Sequence, residues 1–391
     1  MIVLDASGVP DLFSGVRTRL RGLLEAYARV PDAPPLVVRL ARSSTLLEGV
    51  KLGAIAIDEV DGAGGPAVRA LATFRSKAPT GALARDVRVW HSETIPPLAP
   101  RGVPALLTLH DLRWHEPHEK TGGRWFGWAL RHAAARLWLP RVARRIAGVV
   151  TVSHVSARLI VARLRVAADR VAVVANAVDA TVAIPSETVQ RALALSLALE
   201  PRNYFVAVGR LETRKGLEIA IDALAAAPDG SLLAKAKLVL IGEGPLRGDL
   251  VRRATARGVA PRLVMAGRRD DGAVAALIAQ SAALLFPSHV EGFGFPVHEA
   301  LARGVPALAS DLPCLSELAA LAPRGLRLIA RDANGSTAPM EWTSEMERTL
   351  AGAKLPAPRA ALPAELPTWD DAARALVAVY TRVAKRGGAV N

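Results

Sequence analysis

Residues 282–310 read "AALLFPSHVEGFGFPVHEALARGVPALAS", in which a glycine-rich loop and a helix-like segment join two apolar runs. The first run predicts a buried strand, and Pro296 is a favoured first residue for the helix that follows. Gly304 suits the end of that helix, after which "VPALAS" predicts a second strand. Two strands joined by a helix favour parallel pairing, with the loop at the carboxyl edge of the sheet, where ligands bind in such folds.

The same alternation of strand and helix patterns extends over most of the chain. The other strand candidates form two series, MIVLDA, LVVRLA, VRVWHS, PALLTLHD, GVVTVS and RVAVVANAV, then YFVAVGR, AKLVLIG and RLVMAG. Strands that alternate with helices indicate parallel sheets covered on both faces, so we expect an α/β fold with two doubly wound domains. We place the first domain at residues 1–178 and the second at 179–369. Thr368 is well placed to cap a final helix, with Asp370 and Asp371 in its first turn.

The composition limits the class of protein. The 391 residues carry a formal net charge of +14, most of it in the first half, and a single cysteine, Cys314. One cysteine excludes a disulfide framework and a cysteine-built zinc site. The charge indicates either an anionic partner (nucleic acid, a phosphorylated ligand or an anionic lipid surface) or a solvated basic face. We find no secretory leader and no run of about 18 apolar residues, so we expect a cytoplasmic protein.

Two cations follow one predicted strand in "VAVGRLETRKGLEIAIDAL", residues 206–224. Arg210 lies at the carboxyl end of the strand, and Lys215 and Gly216 lie where the next helix should begin. Helix N-termini favour anions, and an arginine can form paired hydrogen bonds with phosphate oxygens. The segment therefore suits a diphosphate site, and equally a solvated basic loop. The turn "VLIGEGPLRGDL" lacks the G-x-G-x-x-G spacing, which disfavours a dehydrogenase.

Two carboxylates, Glu291 and Glu299, flank the glycine-rich loop of the opening segment. Gly292 and Gly294 would let the backbone approach a ligand, and each carboxylate can accept hydrogen bonds from sugar hydroxyls. Because a carboxylate beside a diphosphate is repelled, we expect the loop to hold both glutamates away from the phosphates. The alternative for Glu299 is an i,i+4 ion pair with Arg303.

Several of these segments resemble motifs of the retaining glycosyltransferases of family 4, in particular mannosyltransferases. The family's Glu-x7-Glu motif is similar to "EGFGFPVHEALARGVPALAS", and "VGRLETRKG", "LIGEGPLRGDL" and "PSHVEGFG" resemble its other motifs. The resemblance covers nearly the full chain and is strongest over residues 203–318. It implies the GT-B fold, in which two Rossmann-like domains face each other, the first binding the acceptor and the second the nucleotide donor. It also implies that residues 370–391 return to the first domain.

The resemblance assigns expected roles in the second domain. Arg210 and Lys215 would hold the donor diphosphate and stabilise its charge as it leaves, which makes both catalytic candidates. Glu299 would bind the ribose hydroxyls. Glu291 would face the transferred sugar, as a hydroxyl ligand and a catalytic candidate rather than one half of an acid/base pair. The other expected donor contacts are the loop backbone beside the sugar and an arginine near the nucleobase: Gly292, Phe293, Gly294, Phe295 and Arg268.

Two segments of the first half resemble motifs of the same family. In "PDLFSGVRTRLRGLLEAY", Gly15 retains part of a glycine loop that packs under the donor phosphates and sugar. In "LLTLHDLRWHEPHEK", His110 ends a strand and is a catalytic candidate that would contact the donor hexose. A purely structural histidine is the alternative. His115 and His118 lie nearby with two glutamates, but Pro117 disrupts helical spacing, so we expect no metal site.

Residues 123–145 are rich in tryptophan and arginine. The arginines lie nearly all round the predicted helix, which Pro140 should interrupt, so the pattern does not favour a membrane-surface helix. We expect the segment to pack within the first domain. Weak, charge-driven contact of that basic domain with the inner face of an anionic membrane is a further expectation.

The leading hypothesis is a metal-independent, retaining glycosyltransferase of polysaccharide biosynthesis. It would move a mannose-type hexose from a GDP- or UDP-linked donor, which is a substrate, to a glycan or lipid-linked acceptor without a further cofactor. A sugar-nucleotide epimerase of the same fold is one alternative, which would need no acceptor. The other is a basic nucleic-acid-binding protein, for which the chain offers no aromatic-basic recognition motif, so nucleic acid is not an expected partner.

Overall fold

The computed structural model describes residues 1–9, 15–61, 86–95, 97, 99–112, 125–178, 185–322, 325–332, 337–352 and 367–387, with the backbone alone at 125–132, 134, 135, 321 and 387. The described residues belong to two compact units. Met1–His115, Leu130–Ala177 and Pro367–Asn391 form the first, and Glu116–Ala129 and Val178–Leu366 form the second.

Each unit is built on a parallel sheet. The strands are β1 (Ile2–Asp5), β2 (Leu36–Ala41), β3 (Ala56–Val60), β4 (Val89–Ser92), β5 (Ala105–Leu109), β6 (Gly148–Thr151), β7 (Val171–Val173), β8 (Tyr204–Val208), β9 (Lys237–Ile241), β10 (Leu263–Gly267), β11 (Ala283–Phe286), β12 (Ala307–Ser310) and β13 (Leu326–Ile329). The first sheet has seven strands in the order β3-β2-β1-β4-β5-β6-β7, and the second has six in the order β10-β9-β8-β11-β12-β13. The sequence numbers of neighbouring strands change direction within each sheet, which is the doubly wound arrangement.

The described helices surround these sheets. They are α1 (Gly15–Tyr27), α2 (Trp125–Arg145), α3 (His154–Leu164), α4 (Glu187–Ser196), α5 (Leu217–Ala225), α6 (Arg247–Ala256), α7 (Asp271–Gln280), α8 (Phe295–Ala302), α9 (Pro313–Leu321), α10 (Pro339–Leu350) and α11 (Trp369–Gly387). Every residue of β1, β4, β5 and β6 is buried, as are those of β11 and β12. Strands buried along their whole length require cover on both faces, so the continuous apolar runs of the sequence have a direct structural cause.

The final helix, α11, packs against α1 in the first unit. Trp369 lies over Gly22, where an added Cβ atom would meet the indole ring at 2.3 Å. The helix begins with the predicted cap: Asp371 N donates to Thr368 Oγ1 at 3.1 Å, and Thr368 N donates to Asp371 Oδ2 at 3.0 Å. This reciprocal pair satisfies two backbone donors at the helix N-terminus.

The predicted α/β class and its two doubly wound sheets are confirmed, and each strand candidate corresponds to a strand. Strands β3 and β13 were not predicted. Strand β3, with the sequence AIDEV, is largely exposed at the edge of the sheet. Charged side chains are common on edge strands, so the sequence shows no apolar run there. The expected interruption at Pro140 is wrong, because α2 continues through it. Proline has no backbone N–H, so the helix continues with that one hydrogen bond missing. Helix α8 begins at Phe295, one residue before Pro296.

Candidate active site

The predicted donor-binding residues of the second unit lie at the carboxyl edge of its sheet. Arg210 follows β8, Arg268 follows β10, and Glu291 lies in the loop after β11. Helix α8, which carries Glu299, starts from the same loop. Because all these strands are parallel, their carboxyl ends share one edge, and the sequence prediction that these segments share an edge is correct.

The loop after β8 is pressed against the loop after β11. It forms a short 3-10 turn over Thr213–Lys215 and then leads into α5 through the N-cap residue Gly216, whose φ is +59°. A Cβ atom at Gly216 would lie 2.1 Å from the carbonyl oxygen of Pro287. Glycine is therefore required both for the left-handed backbone and for the close approach. That approach brings Lys215 next to Glu291.

Two cations converge on one carboxylate oxygen at this contact. Lys215 Nζ donates to Glu291 Oε1 at 2.5 Å, and Arg214 Nη1 donates to the same oxygen at 2.6 Å. Arg214 also donates through Nε to Glu212 Oε1 at 2.6 Å. We call these four residues the Glu291 cluster. Glu291 therefore lies next to Lys215, the predicted diphosphate ligand, because the two loops meet directly.

The electrostatics of the cluster follow from burial and charge. Burial by itself would raise the pKa of Glu291, but Arg214 and Lys215 outweigh it and lower the pKa to about 2. Burial lowers the pKa of Lys215, and the adjacent Glu291 opposes that effect. Glu291 is therefore an ionised and weakly basic carboxylate. Further negative charge placed next to Lys215 would stabilise its buried cation.

Glu299 lies in a contrasting environment. Within the described part of the chain, its carboxylate makes no hydrogen bond, and Arg303 Nη1 donates instead to the Glu299 backbone carbonyl at 2.8 Å. The alternative of an Arg303 carboxylate pair is therefore not what forms. Burial raises the pKa of Glu299 to about 7, an effect that Arg303 reduces and Asp271 increases. Hydroxyl donors from a ligand would supply the hydrogen bonds that this carboxylate lacks.

Arg210 and Arg268 reach the solvent at the same edge. The Arg210 side chain is 51% exposed, and its Nε lies 3.6 Å from Glu212 Oε2 at the margin of the Glu291 cluster. Arg268 is exposed directly after β10. Both side chains are therefore positioned to meet an anion from the solvent side.

Aromatic side chains shape the loop before α8. Phe293 stacks on His298 with ring centroids 3.9 Å apart and meets Phe295 edge-on at 4.9 Å. Burial lowers the pKa of His298 to about 4, so the ring is neutral, and its Nδ1 donates to the Gly294 carbonyl oxygen at 3.1 Å. These contacts hold the loop backbone in one conformation.

The two loop glycines have structural roles of their own. Gly294 has φ +88°, and a Cβ atom there would lie 2.9 Å from Leu315 Cδ2. The need for glycine at 294 thus comes from the turn into α8 and from packing. Gly292 is buried.

His110 and Gly15 belong to the first unit. His110 follows β5, and its Nε2 lies 3.1 Å from Oε2 of Glu93, which follows β4. The His110 side chain is 25% exposed and that of Glu93 is fully buried. Gly15 is the first residue of α1 and is exposed.

Sequence reasoning missed three residues that contact predicted site residues within their own unit: Glu212 and Arg214 in the second unit and Glu93 in the first. Arg214 and Glu212 stand inside the segment already chosen for Lys215, so their charges were visible, but not their partners. Glu93 directly follows the buried strand β4. A carboxylate in that position was the available signal, since buried charges require partners.

Two kinds of site are absent from the described ranges. These ranges contain no group of three His, Cys, Asp or Glu residues arranged to hold a metal ion. None of their helices is long and apolar enough to cross a membrane. The sequence candidates His115, Pro117 and His118 lie outside the described residues.

Comparison with known proteins adds the family to this geometry. The family model "Glycosyltransferase Family 4" matches residues 13–182, and "Glycosyl transferases group 1" matches residues 194–342. Together with the two Rossmann-like sheets, these matches show that the chain belongs to the family 4-like glycosyltransferases of the GT-B type.

Individual relatives are more distant. The GDP-mannose-dependent alpha-(1-6)-phosphatidylinositol dimannoside mannosyltransferase of Mycobacterium tuberculosis is 40% identical over 110 residues, 28% of each chain. The match thus spans well under a third of this relative's length. Among solved structures, Anabaena HepE in complex with UDP and glucose has a TM-score of 0.68 at 18% identity, covering 100% of this chain and 99% of HepE. WaaG, a glycosyltransferase involved in lipopolysaccharide biosynthesis, has a TM-score of 0.66 at 16% identity, covering 99% and 98%. These two likenesses show the fold.

Proposed function

We propose that the chain is a retaining hexosyltransferase that uses a nucleotide-diphosphate sugar. Two side chains at one sheet edge carry the proposal. Lys215 is buried and has ammonium donors beyond the one that Glu291 accepts. Glu299 has no hydrogen-bond partner for its carboxylate among the described residues. A diphosphate would bind the first, and ribose hydroxyls the second.

Lys215 and Arg210 are the proposed diphosphate ligands. An ammonium group has three donors, and Glu291 accepts one of them from Lys215. A diphosphate would also restore the negative charge that favours the buried Lys215 cation. Arg210 would meet the outer phosphate oxygens, and the N-terminus of α5 adds a favourable dipole. As the bond to the sugar breaks, the charge that develops on the leaving diphosphate is stabilised by these groups.

Glu291 is proposed to orient the cations and contact the transferred hexose. Its Oε1 accepts the described hydrogen bonds from Arg214 and Lys215, which leaves Oε2 for a sugar hydroxyl. A carboxylate held at a pKa of about 2 is a poor proton acceptor, which argues against a general-base role.

The donor is proposed to be a UDP- or GDP-linked sugar, with a mannose-type hexose. The solved HepE complex contains UDP and glucose, and the M. tuberculosis relative uses GDP-mannose. Arg268, exposed at the end of β10, is the proposed contact to the nucleobase. No cofactor or metal is required in this scheme, because Lys215 and Arg210 supply the positive charge beside the diphosphate.

The acceptor is proposed to be a glycan or lipid-linked glycan. The mannosyltransferase relative acts on a phosphatidylinositol dimannoside, and WaaG takes part in lipopolysaccharide biosynthesis. A formal net charge of +14 is compatible with an anionic, lipid-linked acceptor and with weak peripheral contact at the cytoplasmic face of a membrane.

The proposal is tested first by a thermal-shift screen against UDP, GDP, dTDP and ADP sugars. A bound donor should raise the unfolding temperature in proportion to its affinity. The stabilising donor is then incubated with candidate acceptors, with and without EDTA, and the anomeric configuration of the product is read by NMR.

Each part of the proposal has its own contrary result. Inversion of configuration contradicts retention, and loss of activity in EDTA contradicts metal independence. An altered free sugar formed without acceptor would identify an epimerase. Absence of any stabilising nucleotide, together with steeply salt-dependent binding to nucleic acid, would overturn the enzyme assignment.

A further inference from the structure

A hydrogen-bonded chain of buried side chains runs through the first unit and ends at His110. His91 lies in β4 with Glu93 directly after it, and Thr108 lies in β5 with His110 directly after it. Tyr380 joins the chain from α11. The two parallel strands pair directly, so these alternating polar residues meet at one end of the strand pair.

Glu93 accepts at both carboxylate oxygens. Thr108 Oγ1 donates to Glu93 Oε1 at 3.0 Å, and His110 Nε2 lies 3.1 Å from Glu93 Oε2. Burial by itself would raise the pKa of Glu93, but the hydrogen bond and charge of His110, with charges from His91 and Arg19, lower it to about 2. Glu93 is therefore a carboxylate, which has no proton to donate. The proton between the two side chains consequently resides on His110 Nε2.

The donors and acceptors of the other buried side chains in this hydrogen-bonded series can be assigned in the same way. Thr108 has a single hydroxyl proton and gives it to Glu93, so at the 2.8 Å contact with His91 Nε2 it must accept. Burial lowers the pKa of His91 to about 4, so its ring is neutral and its Nδ1 is an acceptor. Tyr380 Oη lies 2.8 Å from that nitrogen and therefore donates to it. The donor and the acceptor are therefore fixed in every hydrogen bond from Tyr380 to Glu93.

A cation from α1 completes the surroundings. Arg19 is fully buried, and its Nη1 donates to Asn176 Oδ1 at 2.7 Å and to the Val174 carbonyl oxygen at 2.9 Å. Its charge acts on Glu93 and opposes protonation of His91. A buried glutamate is tolerated here because this cation and two hydrogen-bond donors compensate it.

From this geometry we propose that Glu93 is a positioning residue that holds the His110 ring in the Nε2–H tautomer whenever that ring is neutral, leaving Nδ1 as the acceptor for a substrate hydroxyl. Within the described residues, His110 Nδ1 has no hydrogen-bond partner. The identity of that hydroxyl as one of the donor hexose rests on the proposed function. The tautomer itself does not.

The tautomer is measured directly by 15N NMR of the full-length protein labelled at histidine. The signals of His110 are assigned as those missing from a His110→Asn variant among the eight histidines. We expect the neutral His110 ring to carry its proton on Nε2. In Glu93→Gln, whose amide can either donate or accept, the preference should be lost. In Thr108→Val, which keeps the His110–Glu93 contact, the preference should persist.

A double-mutant cycle tests the route by which Glu93 acts. Glu93→Gln should lower kcat/KM by about 10- to 100-fold, the scale of a hydrogen bond to a charged group. In a His110→Ala background the same change should have no further effect.

Two results would overturn the proposal: an Nδ1–H tautomer in the unmutated protein, or additive losses in the cycle. The first is measured on the unmutated protein and does not need the Glu93→Gln variant, so the test stands even where that variant fails to fold. The tautomer is also measured without substrate, so absence of transferase activity would count against the proposed function alone.

Discussion

Glu291 and Glu299 belong to one short motif, yet the structure places them in opposite environments. Glu291 is held by Arg214 and Lys215, which lower its pKa to about 2, whereas burial without a paired cation raises the pKa of Glu299 to about 7. The first carboxylate is bound by two protein cations through Oε1, whereas the second makes no hydrogen bond within the described residues. Residue type alone therefore does not determine the role of a carboxylate, since its neighbours set its charge and its remaining hydrogen bonds.

The largest effect is expected when the cation beside Glu291 is removed. Lys215→Ala should reduce turnover by about 100- to 1000-fold, because a charge-stabilising donor at the leaving group is lost. The chain should still fold, since Arg214 continues to pair with Glu291. Turnover is compared with that of Lys235→Ala, an exposed lysine at the end of another 3-10 turn. Transfer by Lys215→Ala at the rate of this control would contradict the proposed site.

A smaller effect is expected when the paired carboxylate loses its charge. Glu291→Gln removes the negative charge that Lys215 and Arg214 share, so we expect a loss of about 1–3 kcal/mol in the free energy of unfolding. Turnover should fall by about 10- to 100-fold as Lys215 and Arg214 lose their positions. Urea unfolding and steady-state kinetics measure the two effects, with the exposed Glu341→Gln as the control. Unchanged stability would mean that the ion cluster does not organise this loop.

Glu299→Gln should instead act on donor binding. We expect the Kd of the nucleotide to rise about tenfold, with little change in kcat, because a charged acceptor for ribose hydroxyls becomes neutral. Isothermal titration of the nucleotide, beside the same titration of Glu291→Gln, separates the two roles. A fall in kcat with unchanged nucleotide affinity would reverse the assignment of the two glutamates.

The smallest effect is a pH dependence that only Glu299 should produce. Its folded-state pKa, about 7, is above the ordinary value of 4.5, so its ionisation destabilises the folded chain as pH rises through that interval. Relative to Glu299→Gln, the wild type should lose up to about 3 kcal/mol of stability between pH 5 and pH 8. Nucleotide affinity should rise a few-fold over the upper part of this range, because the ionised carboxylate is the better acceptor.

The lowered pKa of Glu291 gives the opposite pH dependence of stability and serves as an internal control. Its lowered pKa contributes stability that is present above pH 4.5 and is lost as pH falls through about 2. Between pH 5 and pH 8, Glu291→Gln should therefore differ from the wild type by a constant amount. Equal pH slopes for the two variants would remove the distinction between the two environments.

Much of the fold could be predicted because it depends on local patterns. Continuous apolar runs identified the buried strands, and the Thr368 cap was visible from its neighbours in sequence. Strand β3 could not be found this way, since an exposed edge strand has no buried face to impose a pattern. The continuation of α2 through Pro140 depends on the rest of the helix and its packing, which a single residue type does not reveal.

The candidate site was predictable as a set of segments and not as a set of contacts. Sequence spacing placed Arg210, Lys215, Glu291 and Glu299 at one sheet edge. Arg214 stood beside Lys215 in sequence, but its partner Glu291 is 77 residues away. Glu93 was overlooked for the same reason, because its role depends on side chains from a second strand and two helices.

The sequence by itself determined the alternation of strands and helices and the residues that end each strand, because hydrophobic periodicity and turn chemistry act over a few neighbouring residues. Tertiary structure decided which of two similar carboxylates is paired and which nitrogen of His110 carries the proton. Electrostatic and hydrogen-bond energies act over a few ångströms of space, and they join groups as distant in sequence as His91 and Tyr380, 289 residues apart.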